Sequence, residues 1–214
     1  MSAALAHYGA AIAADPKNYD ALCKASRTEA DVGEGLAKGV LQDSAYAAAV
    51  RFARQAIAVD ARDAGGHFAL ARAAGRQALT MGGMGRIRAA KLVRSEAMKA
   101  LEYDSLHAGA LHVLGVWNAE VMRLNGLSRS FARTFLGAEV FGRASWSEAT
   151  RLLERCITLE PDRIVHHLDL AAVYADTHET AKARRELEWI ARAPLKDIND
   201  ALYKQRAADR LRTL

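Results

Sequence analysis

A small residue, a large apolar residue, a second small residue and a proline recur along this chain at fixed spacing. Ala149, Leu153, Cys156 and Pro161 stand at offsets 0, 4, 7 and 12. Ala183, Leu187 and Ile190 repeat the first three positions, and Pro194 follows one place early. Between them, Leu170-Ala171 and Tyr174 have the spacing of the apolar, small and aromatic positions of an opening helix. Ala149 and Ala183 lie 34 residues apart. A period of that length holds one antiparallel helix pair. Small residues are needed where two helices cross closely, because a large side chain would push them apart. Proline ends one helix and starts the next, since it lacks a backbone donor but has a helix-ready φ.

The period and the pattern are those of tetratricopeptide repeats, and they extend to the start of the chain. Ala4, Tyr8, Ala11 and Pro16 carry the same offsets as Ala149 to Pro161. They describe the second helix of a repeat whose first helix is absent, so the natural chain is expected to extend upstream of Met1. A signal peptide could lie there. Asn18 to Val32 reads as the next helix, with Leu22, Ala25, Ser26 and Glu29 on one side. The glycine-rich stretch from Val32 to Val40 reads as a loop. Asp43 or Ser44 is the expected cap of a helix carrying Ala49, Phe52, Ala53 and Ala56. Gly65 to Leu79 follows, then a Gly-rich break from Thr80 to Gly85, then a basic helix from Arg86 to Leu101. His107 to Leu124 is another opening helix. Its partner begins near Ser145, leaving an insert over about 125–144. After Pro194, a final helix over Asp197 to Leu214 is expected to bury Ile198, Ala201, Leu202, Ala208 and Leu211.

The expected fold is therefore all-α: a right-handed tetratricopeptide-like solenoid of about four irregular repeats, with an inserted helix and a C-terminal capping helix. A single repeat domain over residues 1–214 is expected. Composition agrees, since 51% of residues are hydrophobic and only three are proline. No run of 18 apolar uncharged residues occurs, so no transmembrane segment is expected. The net charge of +5 is too diffuse to imply nucleic acid. The expected compartment is the cytoplasm for the chain as it stands, or the periplasm if a leader has been removed.

The insert Asn125 to Ala144 places Phe131, Phe135, Leu136, Val140 and Phe141 on one helical stripe, flanked by Arg129, Arg133 and Arg143. Two readings stay open. It is a helix filling a widened groove, or it lines an apolar cavity with a basic rim, together with Trp117. The second reading suits an acyl chain with an anionic head, or an amphipathic peptide. Arg86, Arg88 and Arg94 either extend that rim or form a wet helix face.

Other chemistry finds little support. His166-His167 point about 100° apart on a helix and cannot both ligate one metal; His167 is expected to pack between helices. His107 and His112 miss the i, i+4 spacing of a helical metal pair. The G-G-M-G turn before Arg86 lacks the Lys and Ser/Thr of a nucleotide loop. Glu148, Glu154 and Glu160 read as a solvated face. Cys23 and Cys156 read as buried free thiols. No catalytic motif, cofactor site or metal site is expected.

Several blocks resemble the regulator of microtubule dynamics family. They are H-A-G-A-L-H-V-L-G-V-W-N-A-E-V (His107 to Val121), the Phe-Gly insert, L-E-P-D, L-A-A-V-Y, and the closing Pro194, Asp197 and Asp200. The resemblance runs from about Arg86 to Leu214. It implies a tetratricopeptide-like domain, with microtubule association or phospholipid binding in animal members. The Ala- and Arg-rich composition suggests a bacterial relative, in which microtubules would not be the partner. The function expected is a non-catalytic scaffold that holds a peptide or protein in its concave groove. The alternative is a phospholipid or fatty-acyl module using the insert.

Overall fold

Helix starts are set by side chains that take the otherwise unpaired first N–H groups. Asn18 Oδ1 accepts from Ala21 N at 2.9 Å, Asp63 Oδ1 from Gly65 N at 2.7 Å, and Ser145 Oγ from Glu148 N at 3.1 Å. A computed structural model describes residues 2–124 and 141–214. Among these the helices are α1 (Ser2–Ala14), α2 (Tyr19–Gly35), α3 (Val40–Val59), α4 (Ala64–Ala78), α5 (Gly83–Tyr103), α6 (Ala108–Arg123), α7 (Trp146–Leu159), α8 (Ile164–Asp176), α9 (Thr180–Arg192) and α10 (Asp200–Thr213). The insert residues 125–140 lie outside the described residues.

The chain divides into two compact units, Met1–Val113 and Leu114–Leu214. In the first, α2 packs against α1, α3 and α4, and α4 packs against α3 and α5. Its core is built largely of alanine: Ala30, Ala49, Ala53, Ala69 and Ala73, with Val50 and Leu70. Such small side chains let the helices approach closely. In the second unit α8 packs against α7, α9 and α10. Ile164, Leu168, Leu187, Ile190 and Tyr203 fill its centre. The signature residues Ala149, Leu153, Cys156, Ala183 and Ile190 are all fully buried. A Cβ on Gly115 would stand 2.7 Å from Leu153 Cγ, so that crossing admits nothing larger than glycine.

Three boundaries differ from the sequence reading. The stretch Val32 to Val40 is mostly helical, and only residues 36–39 leave the helices. Gly33 is a packing residue, since a Cβ there would lie 2.5 Å from the Tyr46 ring. Gln42 Nε2 donates to the carbonyls of Gly33 (2.8 Å) and Leu36 (3.2 Å), holding the end of α2. Consequently α3 starts at Val40, with Gly39 as its N-cap, and neither Asp43 nor Ser44 caps it. Likewise α5 starts at Gly83, inside the expected break, with Gly82 at its cap.

The register of the last helix also differs. Ile198, Ala201 and Ala208 are exposed and Leu202 is half-buried, whereas Tyr203 and Ala207 are buried. The cause is Asp200. Its buried carboxylate accepts N–H groups from Lys196 (2.8 Å) and Asp197 (2.7 Å). That folds the preceding residues into a loop and starts the helix three residues later. Tyr203, Ala207 and Leu211 then follow one another at four-residue intervals on the core side.

Two stability outcomes follow. Leu153→Ala should cost about 2–5 kcal/mol in denaturant unfolding, as a fully buried leucine at a helix crossing; a loss under about 0.5 kcal/mol contradicts that packing. Ser26 Oγ is buried with no hydrogen-bond partner among the described residues. Ser26→Ala should therefore leave stability unchanged or raise it by up to about 1 kcal/mol. A clear loss in the same urea titration would reveal a partner for the hydroxyl.

Candidate functional site

In the first unit, α2 and α4 lie side by side and are joined by polar contacts at both ends. At the N-terminal end the Tyr19 hydroxyl donates to Asp63 Oδ1 (2.5 Å) and accepts from Gly66 N (2.6 Å). Partial burial, with the Asp63 carboxylate as hydrogen-bond acceptor, pushes the Tyr19 phenol above its ordinary range. Further along, Arg72 reaches across to α2. Its Nη2 meets Asp31 Oδ1 at 2.5 Å, and its Nη1 donates to the Arg27 carbonyl at 3.2 Å. One turn on, Arg76 Nη2 pairs with Glu34 Oε2 at 2.7 Å. Phe68 is half-buried on the same helix, against the His107 ring at 4.6 Å. The Arg27 side chain is exposed beside this row. The face thus offers fixed guanidinium and carboxylate groups beside one aromatic edge.

Of the seven residues expected to form a ligand site, Trp117, Phe141 and Arg143 are described. Trp117 and Phe141 are buried, with ring centroids 5.9 Å apart. Arg143 is exposed. Phe131, Phe135, Arg129 and Arg133 lie outside the described residues. Near the aromatic pair, Asn118 Nδ2 donates to the Leu114 carbonyl at 2.8 Å, and its Oδ1 accepts from Ser145 N at 3.3 Å. The start of α7 is thereby held against α6. Arg86 and Arg88 are exposed, and Arg94 is half-buried.

Sequence reasoning missed a histidine arrangement found in both units. His67 is buried; its Nδ1 lies 2.6 Å from Glu96 Oε2 and its Nε2 3.0 Å from the Ala61 carbonyl. His167 is equally buried, 2.6 Å from Glu186 Oε2 and 2.8 Å from the Pro161 carbonyl. Its ring stacks on Trp189 at 3.6 Å, so His167 does pack between helices as expected. In each arrangement both ring nitrogens face an oxygen. The available signal was the histidine six residues after Ala61 and after Pro161, where other repeats carry leucine. Glu154 is exposed, as expected of a solvated face. It accepts from the Tyr174 hydroxyl at 2.7 Å and so links α7 to α8.

Both cysteines are buried free thiols, as expected. Burial, with smaller contributions from Asp169 and Glu160, pushes the Cys156 thiol up to about 12. Cys156 should then resist alkylation at pH 8 until the protein unfolds, which a mass shift after iodoacetamide treatment reads out. Between the ordinary thiol value of 9.0 and about 12, the folded chain holds this proton more tightly than the unfolded chain. This group's contribution to stability is therefore fully present below about 9 and falls as pH rises through that window.

Antiparallel helix pairs stacked through small residues define an all-α, tetratricopeptide-like helical-repeat protein. The chain belongs to the family described as regulator of microtubule dynamics protein 1-3, whose profile matches residues 2–214. The family match thus reaches well upstream of Arg86, where the sequence resemblance began. Among solved structures, the chain is similar to TTC0263, a thermophilic TPR protein of Thermus thermophilus. The identity is 17% and the TM-score 0.62, over 95% of this chain and 88% of that one. It is also similar to MamA, at 15% identity and TM-score 0.49, over 96% and 89% of the two chains. A third similar structure is a human IFIT1 dimer with PPP-AAAA, at 16% identity and TM-score 0.48, over 96% of this chain and 54% of that one. No curated protein matches the sequence. The likeness to TTC0263 shows the fold. Among the described residues, no helix is long and apolar enough to cross a membrane.

Proposed function

We propose that the chain is a non-catalytic scaffold that binds a peptide segment of a protein partner on the α2–α4 face. The observation that supports this is the row of Arg72, Asp31, Arg76 and Glu34, fixed across two helices beside the half-buried Phe68. In a stack of helical hairpins the layer of first helices lines the concave side, where extended partners lie. Groups already held by ion pairs lose little freedom on binding, which favours recognition. Trp117 and Phe141 are occupied with each other, so the alternative phospholipid reading rests on Phe131 and Phe135.

A peptide selected on the whole chain from a random library provides the test. Arg27→Glu and Arg72→Ala should each weaken its binding by roughly tenfold or more, as expected of central interface positions. Arg210→Glu, on α10, should leave binding unchanged. Equal affinity in all three variants would refute the α2–α4 reading. A bound mass of several hundred daltons in native mass spectra of the purified chain, lost with Phe135→Asp, would favour the lipid reading instead.

A further inference from the structure

The outer face of α3 carries a second feature, separate from the α2–α4 face. Ala47, Arg51, Arg54, Gln55 and Ala58 follow one another at helical spacing and share one side of α3. With Val50 and with Gln77 of α4, they line an open groove of about 480 Å³. That size lies within the range of ligand-binding clefts. Val50 is buried and forms the floor, with Ala47 and Ala58 at the two ends, while Arg51, Arg54 and Gln55 are exposed along the edge. The Arg51 guanidinium is held 5.1 Å from the Phe52 ring centroid, which limits its freedom before any ligand arrives. Among the described residues, neither Arg51 nor Arg54 forms an ion pair. Arg51 acts electrostatically on Glu29 of α2, a half-buried group whose pKa burial raises and Arg51 lowers.

We infer that this α3 groove docks an acidic peptide segment, with carboxylates on Arg51 and Arg54 and an apolar side chain on Val50. The chemistry at the edge alternates in a way that suits a polypeptide. Two guanidiniums present forked donors to carboxylates. Gln55 and Gln77 each offer both a donor and an acceptor, as a peptide backbone requires. The apolar floor gives a non-polar side chain a place to leave water. From Ala47 to Ala58 the groove runs roughly 16 Å along the helix, a length that suits several residues rather than one small anion. Two cations over an apolar floor would be a sparse match for a nucleic-acid backbone, which relies on many phosphate contacts.

The full-length chain can be titrated into a fluorescein-labelled Glu-Leu-Glu-Glu-Leu-Glu peptide and followed by anisotropy in about 150 mM salt. Saturable binding is expected. The double variant Arg51→Glu, Arg54→Glu should weaken it by about tenfold, since each exposed pair contributes modestly. The same variant should gain binding to Lys-Leu-Lys-Lys-Leu-Lys. The control Arg184→Glu, Arg185→Glu makes the same change in net charge on α9 and should leave both titrations unchanged. Circular dichroism of each variant checks that the helices remain. The inference is overturned if wild-type binding does not saturate or if the α9 control weakens it equally. It is also overturned if inorganic phosphate or single-stranded oligo(dT) displaces the peptide at matched ionic strength.

Discussion

Close helix crossing is the constraint on which the rest of this structure depends. A single helical hairpin has too little apolar surface to fold alone, so neighbours must stack. Stacking works only if backbones approach within the reach of short side chains. Ala49, Ala53 and Ala56 in α3, and Ala149 and Cys156 in α7, provide that approach and are fully buried. Gly115 is the extreme case, with Leu153 lying where its Cβ would be. Large residues then fill the space between crossings, as Leu153, Leu187 and Ile190 do. The alternation of small and large positions sets the distance between helices and leaves the remaining faces for solvent and partners.

Polar groups caught in the stack are paired rather than avoided. His67 and His167 each link the end of the preceding helix to a carboxylate on the next helix. The carbonyl that each ring meets belongs to the turn between the two helices, at Ala61 and at Pro161. Arg72 and Arg76 perform a related task between α2 and α4, in a more exposed setting. These bonds fix the relative position of neighbouring helices within a unit, something that non-directional apolar contact does less well.

The blocks that carry the family likeness have clear packing roles. Leu114-Gly115 admits Leu153, Trp117 packs against Phe141, and Asn118 holds the start of α7. In the closing element, Asp200 gathers two backbone N–H groups, and Asp197 pairs with Arg163 of the loop before α8. Lys196 pairs with Asp162 at 2.6 Å. The loop before α10 is thus tied to the turn between α7 and α8. Such residues identify the fold without identifying what it binds, and function must be sought on the faces they leave open.

Local rules in the sequence determined the helices, their caps at Asn18 and Ser145, the 34-residue spacing, and the burial of Ala149, Leu153, Cys156 and Ala183. The caps and the buried stripes depend on neighbours within one or two turns, and the 34-residue period repeats them, so a linear pattern contains both. Gly33 looked like a loop residue because its reason is the Tyr46 ring, which belongs to the next helix. The register of α10 was hidden because Asp200 bonds backward to a loop rather than continuing the helical pattern. Arg51, Arg54 and Gln77 drew no notice as a group, since their groove exists only once α3 lies beside α4. Sequence periodicity decides which side of a helix is buried. Only tertiary packing decides which glycine is a contact, where an irregular helix begins, and which exposed side chains become neighbours.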